Sequence, residues 1–263
     1  MDWAEVSPVG DLLVRGARLH PDRDLIVFPG GRHTYAEVFD RARRLACGLL
    51  GLGVRPGEHV GVLAVNGIEY VEALFGCSLL GAVVVPLNAR HKAAEIGFIV
   101  DNADLVAILT TAEPDAYVDF AGVFHSALPS LAGAPDPLHL ELPEAPALRG
   151  AALLSGGGRA GFADRAQLDE LAASVDAGRV DEARRGVRVR DTAVLLYTSG
   201  TTANPKGCLL SHEAMTRGPV DRARHRFASC DHEVTWGAGP LFHIGSLAPF
   251  LGSVGTAGTY LTD

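Results

Sequence analysis

The chain has 263 residues and a formal net charge of −8, because 31 acidic residues outnumber 23 lysines and arginines. Its 48% of hydrophobic and 21% of charged residues are ordinary for a soluble globular protein with one large or two modest domains. An acidic chain without a basic block is not expected to take nucleic acid or an anionic membrane as its main partner.

The sequence also indicates the cellular location of the protein and whether it spans a membrane. The four cysteines are widely separated and form no CxxC pair, which favours reduced thiols over disulfides or a zinc site. The first residues, MDWAEVSPVGD, lack the apolar core of a signal peptide. The most apolar tract, residues 60–87, is interrupted by polar residues and a proline, so no membrane span is expected. We therefore expect a cytoplasmic protein.

Apolar periodicity predicts alternating strands and helices over the first 111 residues. The run LIVF at 25–28 predicts a short strand followed by a turn, and Thr34 and Glu37 have the spacing of a capping box that begins a helix. Three more strands and two more helices are then predicted: strands over 59–65, 82–87 and 105–110, and helices over 68–81 and 93–103. Continuous apolar strands that alternate with helices indicate an α/β fold with a doubly wound, mostly parallel sheet.

The middle of the chain differs from the first 111 residues in composition and periodicity. Residues 112–186 are rich in proline and glycine and show little periodicity. We predict a surface excursion there, with one strand over 138–142 and one helix over 165–174. Regular structure resumes with a strand over 191–197. The chain is thus divided into a first α/β portion (1–111), a variable excursion (112–186) and a final portion (187–263).

The stretch YTSGTTANPKG, residues 197–207, follows that strand directly. Small residues let backbone N–H groups converge on an anion, hydroxyls add donors, and Lys206 supplies a mobile positive charge aimed by Pro205. A polar turn is the alternative, and for a generic SGTT sequence it is the more common outcome. The Walker phosphate loop is excluded by spacing, because a proline precedes the lysine and Gly-Cys follows it.

The whole eleven-residue string resembles the phosphate loop of the adenylate-forming (AMP-binding) enzymes, which include acyl-CoA synthetases, aryl-CoA ligases, luciferases and peptide-synthetase adenylation domains. Residues 33–88 resemble the N-terminal stretch of that family, in the right order and distance. GPLFHIGSL, residues 239–247, resembles the segment that lines the acyl pocket in the CoA-ligase branch. The resemblance implies a layered α/β fold, here an incomplete N-terminal (AMP-binding) domain of the acyl-CoA synthetase type.

The resemblance also implies a reaction. ATP would activate a small carboxylic acid to an acyl adenylate, and coenzyme A would then take the acyl group. One set of residues would grip the β- and γ-phosphates of ATP, namely Thr198, Ser199, Gly200, Thr201, Thr202, Lys206 and Gly207. Thr198 would also stand near Mg²⁺. Ala203 departs from the family pattern of glycine or serine, and a methyl group costs about 1 kcal/mol if that backbone needs a positive φ.

A second set of residues is implied for the acyl group. His243 would border the acyl carboxylate and the thiol tunnel, and with Lys206 it is the catalytic candidate. The pocket would be shaped by Phe242, His243, Gly245 and Ser246. For a lone histidine the alternative is a structural one near the core, and the matching context favours the pocket. Ser211 and His212 are expected to have a structural role at the start of the helix after the loop.

Members of the family are about twice as long. The adenine- and ribose-binding segments, the hinge and the C-terminal domain with its lysine are not in these 263 residues, so we expect the isolated chain to be inactive. Its final strand, GTYLTD, is expected to have an unpaired apolar edge. A non-catalytic remnant or interaction module with weak nucleotide binding is the alternative to a ligase portion. The acid is not specified by the sequence, and the formation of a homo-oligomer is left open.

Overall fold

The computed structural model describes residues 6–113, 118–198, 205–226 and 232–263. The helices of these ranges are Val9–Leu19 (α1), Tyr35–Gly51 (α2), Ile68–Leu80 (α3), Ala93–Asn102 (α4), Phe120–Ala127 (α5), Arg165–Ala173 (α6), Gly178–Gly186 (α7), His212–Arg226 (α8) and Ile244–Gly255 (α9). The strands are Asp24–Phe28 (β1), Gly31–Thr34 (β2), His59–Leu63 (β3), Val83–Pro86 (β4), Leu105–Ala112 (β5), Gly150–Gly156 (β6), Thr192–Thr198 (β7), Lys206–Ser211 (β8), Val234–Trp236 (β9) and Thr259–Leu261 (β10). Within the described ranges, every helix is too short or too polar to cross a membrane.

A six-stranded sheet forms the larger layer, with the strand order β6-β5-β3-β4-β7-β8. The first five of these strands are parallel, and β8 runs antiparallel to β7. All eight residues of β5 are buried, as expected for a strand that is covered on both faces. The prediction of an α/β fold with a mostly parallel, doubly wound sheet is therefore confirmed.

The chain changes direction across this sheet at β3. From β3 it moves to β4 on one side, and it then crosses back to β5 on the other side of β3. Because parallel crossovers are nearly always right-handed, α3 and α4 belong on opposite faces of the sheet. The two hydrophobic cores agree, since Phe75 of α3 lies in one with Val84, and Ile96 of α4 lies in the other with Val83 and Val85. The loops after β3 and β4 consequently diverge, which leaves a crevice at the carboxyl ends of these strands.

A second sheet, not foreseen from the sequence, has the strand order β2-β1-β10-β9. The expectation that the last strand has an unpaired edge is wrong, because β10 pairs in parallel with β1 on one side and with β9 on the other. Tyr260 of β10 is accordingly buried. The two edge strands are β2 and β9, and on β9 the side chains of Val234 and Trp236 are 52% and 66% exposed.

The middle of the chain is built into the core, contrary to the predicted surface excursion. No strand forms over 138–142, where the structure has only a single bridge between Leu142 and Ala145. Instead, β6 extends the large sheet by pairing along β5. The predicted helix is present as α6, and it packs so closely on α2 that a Cβ atom on Gly48 would lie 2.9 Å from Leu168 Cδ1.

Candidate active site

The loop with the phosphate-loop sequence is closed at its base by two neighbouring strands. Thr198, the last residue of β7, pairs in register with Lys206, the first residue of β8. The Thr198 hydroxyl donates a 3.4 Å hydrogen bond to the backbone oxygen of Lys206. Both residues are exposed, and Lys206 has no ion-pair partner in the described ranges. The hairpin therefore holds a hydroxyl and a free ammonium group at the two ends of the loop.

The loop itself is only partly described. Ser199, Gly200, Thr201 and Thr202, predicted to bind phosphate, lie outside the described residues, as does Ala203. Gly207 is described, and packing explains the glycine at this position. A Cβ atom there would lie 2.9 Å from Leu195 Cδ1 and 3.3 Å from Tyr197 Cζ. Glycine at 207 thus allows two side chains of β7 to lie against the backbone of β8.

A cleft of about 560 Å³ opens at the crevice between the diverging loops. One wall comes from residues that follow β3 and β4: Val65, Asn66, Asn88, Ala89 and Arg90. The other wall comes from the segment before α9 and from the second residue after β10: Ala238, Pro240, Phe242, His243 and Asp263. Because β4 and β7 are parallel neighbours, this cleft and the loop after Thr198 lie at the same edge of the sheet.

The predicted acyl-pocket residues divide into two groups. Phe242 and His243 line the cleft, with their ring centroids 4.9 Å apart. Gly245 is exposed, and a Cβ atom there would meet nothing within 4 Å. Ser246 is buried beside Gly239, where a Cβ atom would lie 2.2 Å from the Ser246 hydroxyl oxygen. The structure therefore brings together the first two residues at the cleft wall and places the other two outside the residues that line it.

His243 occupies the N-cap position of α9 and has an exposed side chain. Its backbone N–H donates to the oxygen of Pro240 at 3.0 Å, and its backbone oxygen accepts from Ser246 and Leu247. The backbone of His243 is therefore fixed by a turn on one side and by the first turn of α9 on the other, while its imidazole is left open to the cleft.

Sequence reasoning missed two polar residues at this site. Asn66 follows β3 and uses its side chain to bond the backbone of Leu241 and of Gly239 from the opposite wall. His91 follows β4, and burial lowers its pKa, with the nearby charge of His243 acting in the same direction and Glu95 opposing both. The pKa of His91 is thus held below its ordinary value at a position near His243. A polar residue just after an apolar strand was the signal available for Asn66, whereas His91 stands several residues beyond its strand and had no such signal.

Ser211 and His212 have the predicted structural role. The Ser211 hydroxyl accepts from the backbone N–H of Ala214 at 3.2 Å, which caps α8. His212 is buried, and its Nδ1 accepts from the backbone N–H of Val9 at 3.1 Å, which joins α8 to α1. Burial lowers the pKa of His212 to about 4.

A magnesium site is not complete in the described part of the chain. There, no three His, Cys, Asp or Glu side chains are grouped so that they could hold a metal ion. Mg²⁺ is commonly bound by one or two carboxylates together with substrate phosphates, whereas Thr198 offers one hydroxyl. The described residues alone therefore do not fit the ion.

The fold and the cleft define an α/β ligand-binding domain with its site at the carboxyl edge of the sheet. The chain belongs to the AMP-binding enzyme family, whose sequence profile matches residues 13–261. A feruloyl-CoA synthase from Amycolatopsis is 31% identical over 239 residues, which cover 91% of this chain and 40% of that protein. A medium/long-chain-fatty-acid–CoA/3-oxocholest-4-en-26-oate–CoA ligase from Mycobacterium tuberculosis is 30% identical over 230 residues, which cover 86% and 38%.

Solved structures agree with the family. The N-terminal domain of FACL13 from Mycobacterium tuberculosis matches with a TM-score of 0.70 and 25% identity, over 97% of this chain and 57% of that one. The anthranilate CoA ligase AuaEII, at 20% identity and a TM-score of 0.77, shares the fold over 99% of this chain and 45% of its own. The chain spans about two fifths of the length of the curated relatives it matches.

Proposed function

We propose that this chain is the portion of an acid–CoA ligase that binds the phosphates of ATP and borders the acyl group. The ligase would join a carboxylic acid to AMP with release of pyrophosphate, and coenzyme A would then displace AMP to give the thioester. The observation that carries the proposal is the placement of Thr198 and Lys206 at the same sheet edge as the cleft that His243 lines.

The proposed role of the loop follows from the charge that develops in the first step. As the carboxylate attacks phosphorus, negative charge builds on the departing pyrophosphate, and donors already in place at those oxygens lower the barrier. Lys206 has the mobile charge for this role and no competing ion pair among the described residues. Thr198, Gly207 and the four loop residues from Ser199 to Thr202 would supply hydroxyl and backbone donors.

The proposed role of the cleft follows from its walls. Phe242 gives an apolar surface and His243 an exposed imidazole beside it, which suits an organic acid whose carboxylate must be brought to ATP. Gly245 and Ser246 remain proposed contributors through the first turn of α9. Because a pocket methylene changes specificity by only about 1–3 kcal/mol, the proposal extends to small organic or fatty acids as a class.

The test is ATP–pyrophosphate exchange with a panel of carboxylic acids, run on residues 1–263 and on the full-length product of the gene. We expect exchange in the full-length product and none in residues 1–263. Exchange that stays absent in the full-length product with every acid would overturn the ligase and favour a non-catalytic, nucleotide-binding remnant. Measuring ATP binding in the same samples separates a remnant that binds nucleotide from one that does not.

A further inference from the structure

Leu241 directly precedes the Phe242–His243 pair. The backbone N–H and C=O of Leu241 are both hydrogen-bonded to side chains from one short stretch of chain. The N–H of Leu241 donates to Asn66 Oδ1 at 2.7 Å. The oxygen of Leu241 accepts from the Tyr70 hydroxyl at 3.1 Å. Leu241 and Tyr70 are fully buried, so water cannot easily replace the Tyr70 hydroxyl, whereas the bond to Asn66 is part-buried. We call Asn66 and Tyr70 the Leu241 clamp.

Asn66 also connects the clamp to the surrounding segments. Its amide nitrogen donates to the oxygen of Gly239 at 3.2 Å, the hydroxyl of Thr262 at 3.0 Å and the oxygen of Asp263 at 3.1 Å. Two amide hydrogens are thus shared among three acceptors, and the carbonyl oxygen takes the fourth bond. One side chain after β3 therefore holds the segment before α9 and the residues after β10 together.

The clamp acts on the turn that ends in His243. The N–H of His243 donates to the oxygen of Pro240, so residues 240–243 form a hydrogen-bonded turn with Leu241 inside it. A side chain on Gly239, at the start of this segment, would displace the Ser246 hydroxyl that lies against it. The exposed imidazole of His243 has no hydrogen bond of its own in the described ranges, so its position depends on this backbone.

We propose that Asn66 and Tyr70 are positioning residues, which fix the 240–243 turn so that the imidazole of His243 lies at the cleft wall. The catalytic part of this inference rests on the proposed function, since only a ligase brings a carboxylate to His243. The structural part can be tested without it. Neither residue contacts the reacting atoms in this scheme; both act through the backbone of Leu241.

Three variants separate positioning from ordinary stability. Tyr70→Phe removes only the hydroxyl that donates to the backbone oxygen of Leu241. Asn66→Ala removes the four hydrogen bonds that the side-chain amide of Asn66 makes. Tyr35→Phe is the matched control, because the buried Tyr35 hydroxyl also donates to a backbone oxygen, that of Gly258 at 2.8 Å, beyond the opposite end of α9. Should Asn66→Ala fail to fold, Tyr70→Phe and Tyr35→Phe still give the comparison.

The first readout is the imidazole NMR signal of His243 in residues 1–263, assigned by its loss in His243→Gln. We expect Tyr70→Phe and Asn66→Ala to shift this signal and Tyr35→Phe to leave it in place. Equal effects of Tyr70→Phe and Tyr35→Phe, or no effect of either clamp variant, would overturn the proposal.

The second readout is pyrophosphate exchange by the full-length product. We expect Tyr70→Phe to lower kcat/KM for the acid by about tenfold to a hundredfold, because small displacements of a catalytic group have effects of that order. The KM for ATP should change less than twofold. Equal activity in all three variants would overturn the proposed catalytic role of the clamp. A wild type without exchange activity would overturn the proposed function, and the NMR comparison alone would then test whether the clamp positions His243.

Discussion

Glu72 and Arg165 form an ion pair that fastens the middle of the chain to its first half. The carboxylate of Glu72, on α3, is fully buried, and its Oε2 accepts from Arg165 Nη1 at 3.0 Å and from Arg41 Nη2 at 2.8 Å. Arg165 is the first residue of α6. Burial acts to lower the pKa of Arg165, but the hydrogen bonds and charges of Glu72 and, to a smaller extent, Asp169 together outweigh it and raise that pKa.

Replacing Arg165 by methionine should destabilise the protein, because it leaves a buried carboxylate with one arginine instead of two. The expected loss in the free energy of unfolding is up to about 3–5 kcal/mol, the range seen when one partner of a buried pair is removed. Denaturant unfolding at pH 7 measures it. Arg32→Met is the control, since the Arg32–Asp24 pair at 2.9 Å is exposed and should contribute at most about 1 kcal/mol. Equal losses in the two variants would contradict the role given to Glu72.

The sequence of residues 112–186 did not indicate that this segment packs into the core, and the Glu72–Arg165 ion pair illustrates the reason. The prolines and glycines before Gly150 obscure the apolar run AALL, which becomes β6. The helix over 165–174 was recognisable because Asp164 and Gln167 form a capping box and leucines repeat along one face. Nothing local indicates that Arg165 meets a glutamate 93 positions away. Burial of the segment depends on tertiary contacts, so its local composition and periodicity did not predict it.

Lys206→Ala should weaken the binding of ATP by about tenfold to a hundredfold, because a hydrogen bond to a charged group is worth about 1.5–3 kcal/mol. Lys206 is exposed and at the edge of a hairpin, so the unfolding free energy should stay within about 0.5 kcal/mol of the wild type. Calorimetric titration with ATP and Mg²⁺ in the full-length product measures the affinity.

The control for Lys206 is the other lysine of the chain, Lys92, which is exposed at the start of α4. Lys92→Ala should bind ATP as the wild type does. An affinity that is unchanged in Lys206→Ala, or reduced equally in both variants, would contradict the assignment of the phosphate loop.

His212 should make the protein less stable in mild acid. Its pKa is lowered by burial from 6.5 to about 4 in the folded chain. Below pH 6.5 the unfolded chain therefore binds a proton that the folded chain does not. The free energy of unfolding should fall by about 3 kcal/mol in total as the pH decreases from about 6.5 to 4. Urea unfolding at several pH values measures this slope.

His212→Gln should remove that contribution to the slope, although it also lowers stability at pH 7 by disturbing the bond to Val9. A slope that survives unchanged in His212→Gln would show that other groups cause the acid sensitivity.

Ala257→Gly should stabilise the protein. Ala257 has a φ of +54° at the end of α9, where its N–H bonds Val254 and the N–H of Gly258 bonds Ser253. This is the Schellman arrangement, in which glycine is the preferred residue at that position. The relief of a left-handed conformation exceeds the entropic cost of glycine, so we expect a gain of about 0.5–1 kcal/mol.

The matched control for Ala257 is Ala94→Gly at an exposed position of α4, where the same exchange should cost about 0.5–1 kcal/mol. Thermal unfolding of both variants gives the two signs. A loss of stability in both would contradict the conformational argument.

The candidate site was predictable to the extent that it is local. Thr198 and Lys206 stand eight residues apart in one hairpin, and Phe242 and His243 are neighbours in a distinctive string. Asn66 and Tyr70 were not predictable, because their partners lie 175 and 171 positions away. Their residue types are as compatible with an ordinary loop and a buried helix as with a clamp. Only the packing of α3 beneath the segment before α9 brings them into contact.

The pairing of β1 with β10 has a consequence for biosynthesis. The hydroxyl of Thr259 bonds the backbone oxygen of Asp24 across 235 positions. A ribosome that adds about 5–20 residues per second makes that interval in roughly 12–47 s. During this time the β1–β2 hairpin lacks its neighbour, and an isolated two-stranded hairpin is at best marginally stable. Until Leu261 emerges, the nascent chain therefore carries an open strand edge, and chaperones are most needed in that interval.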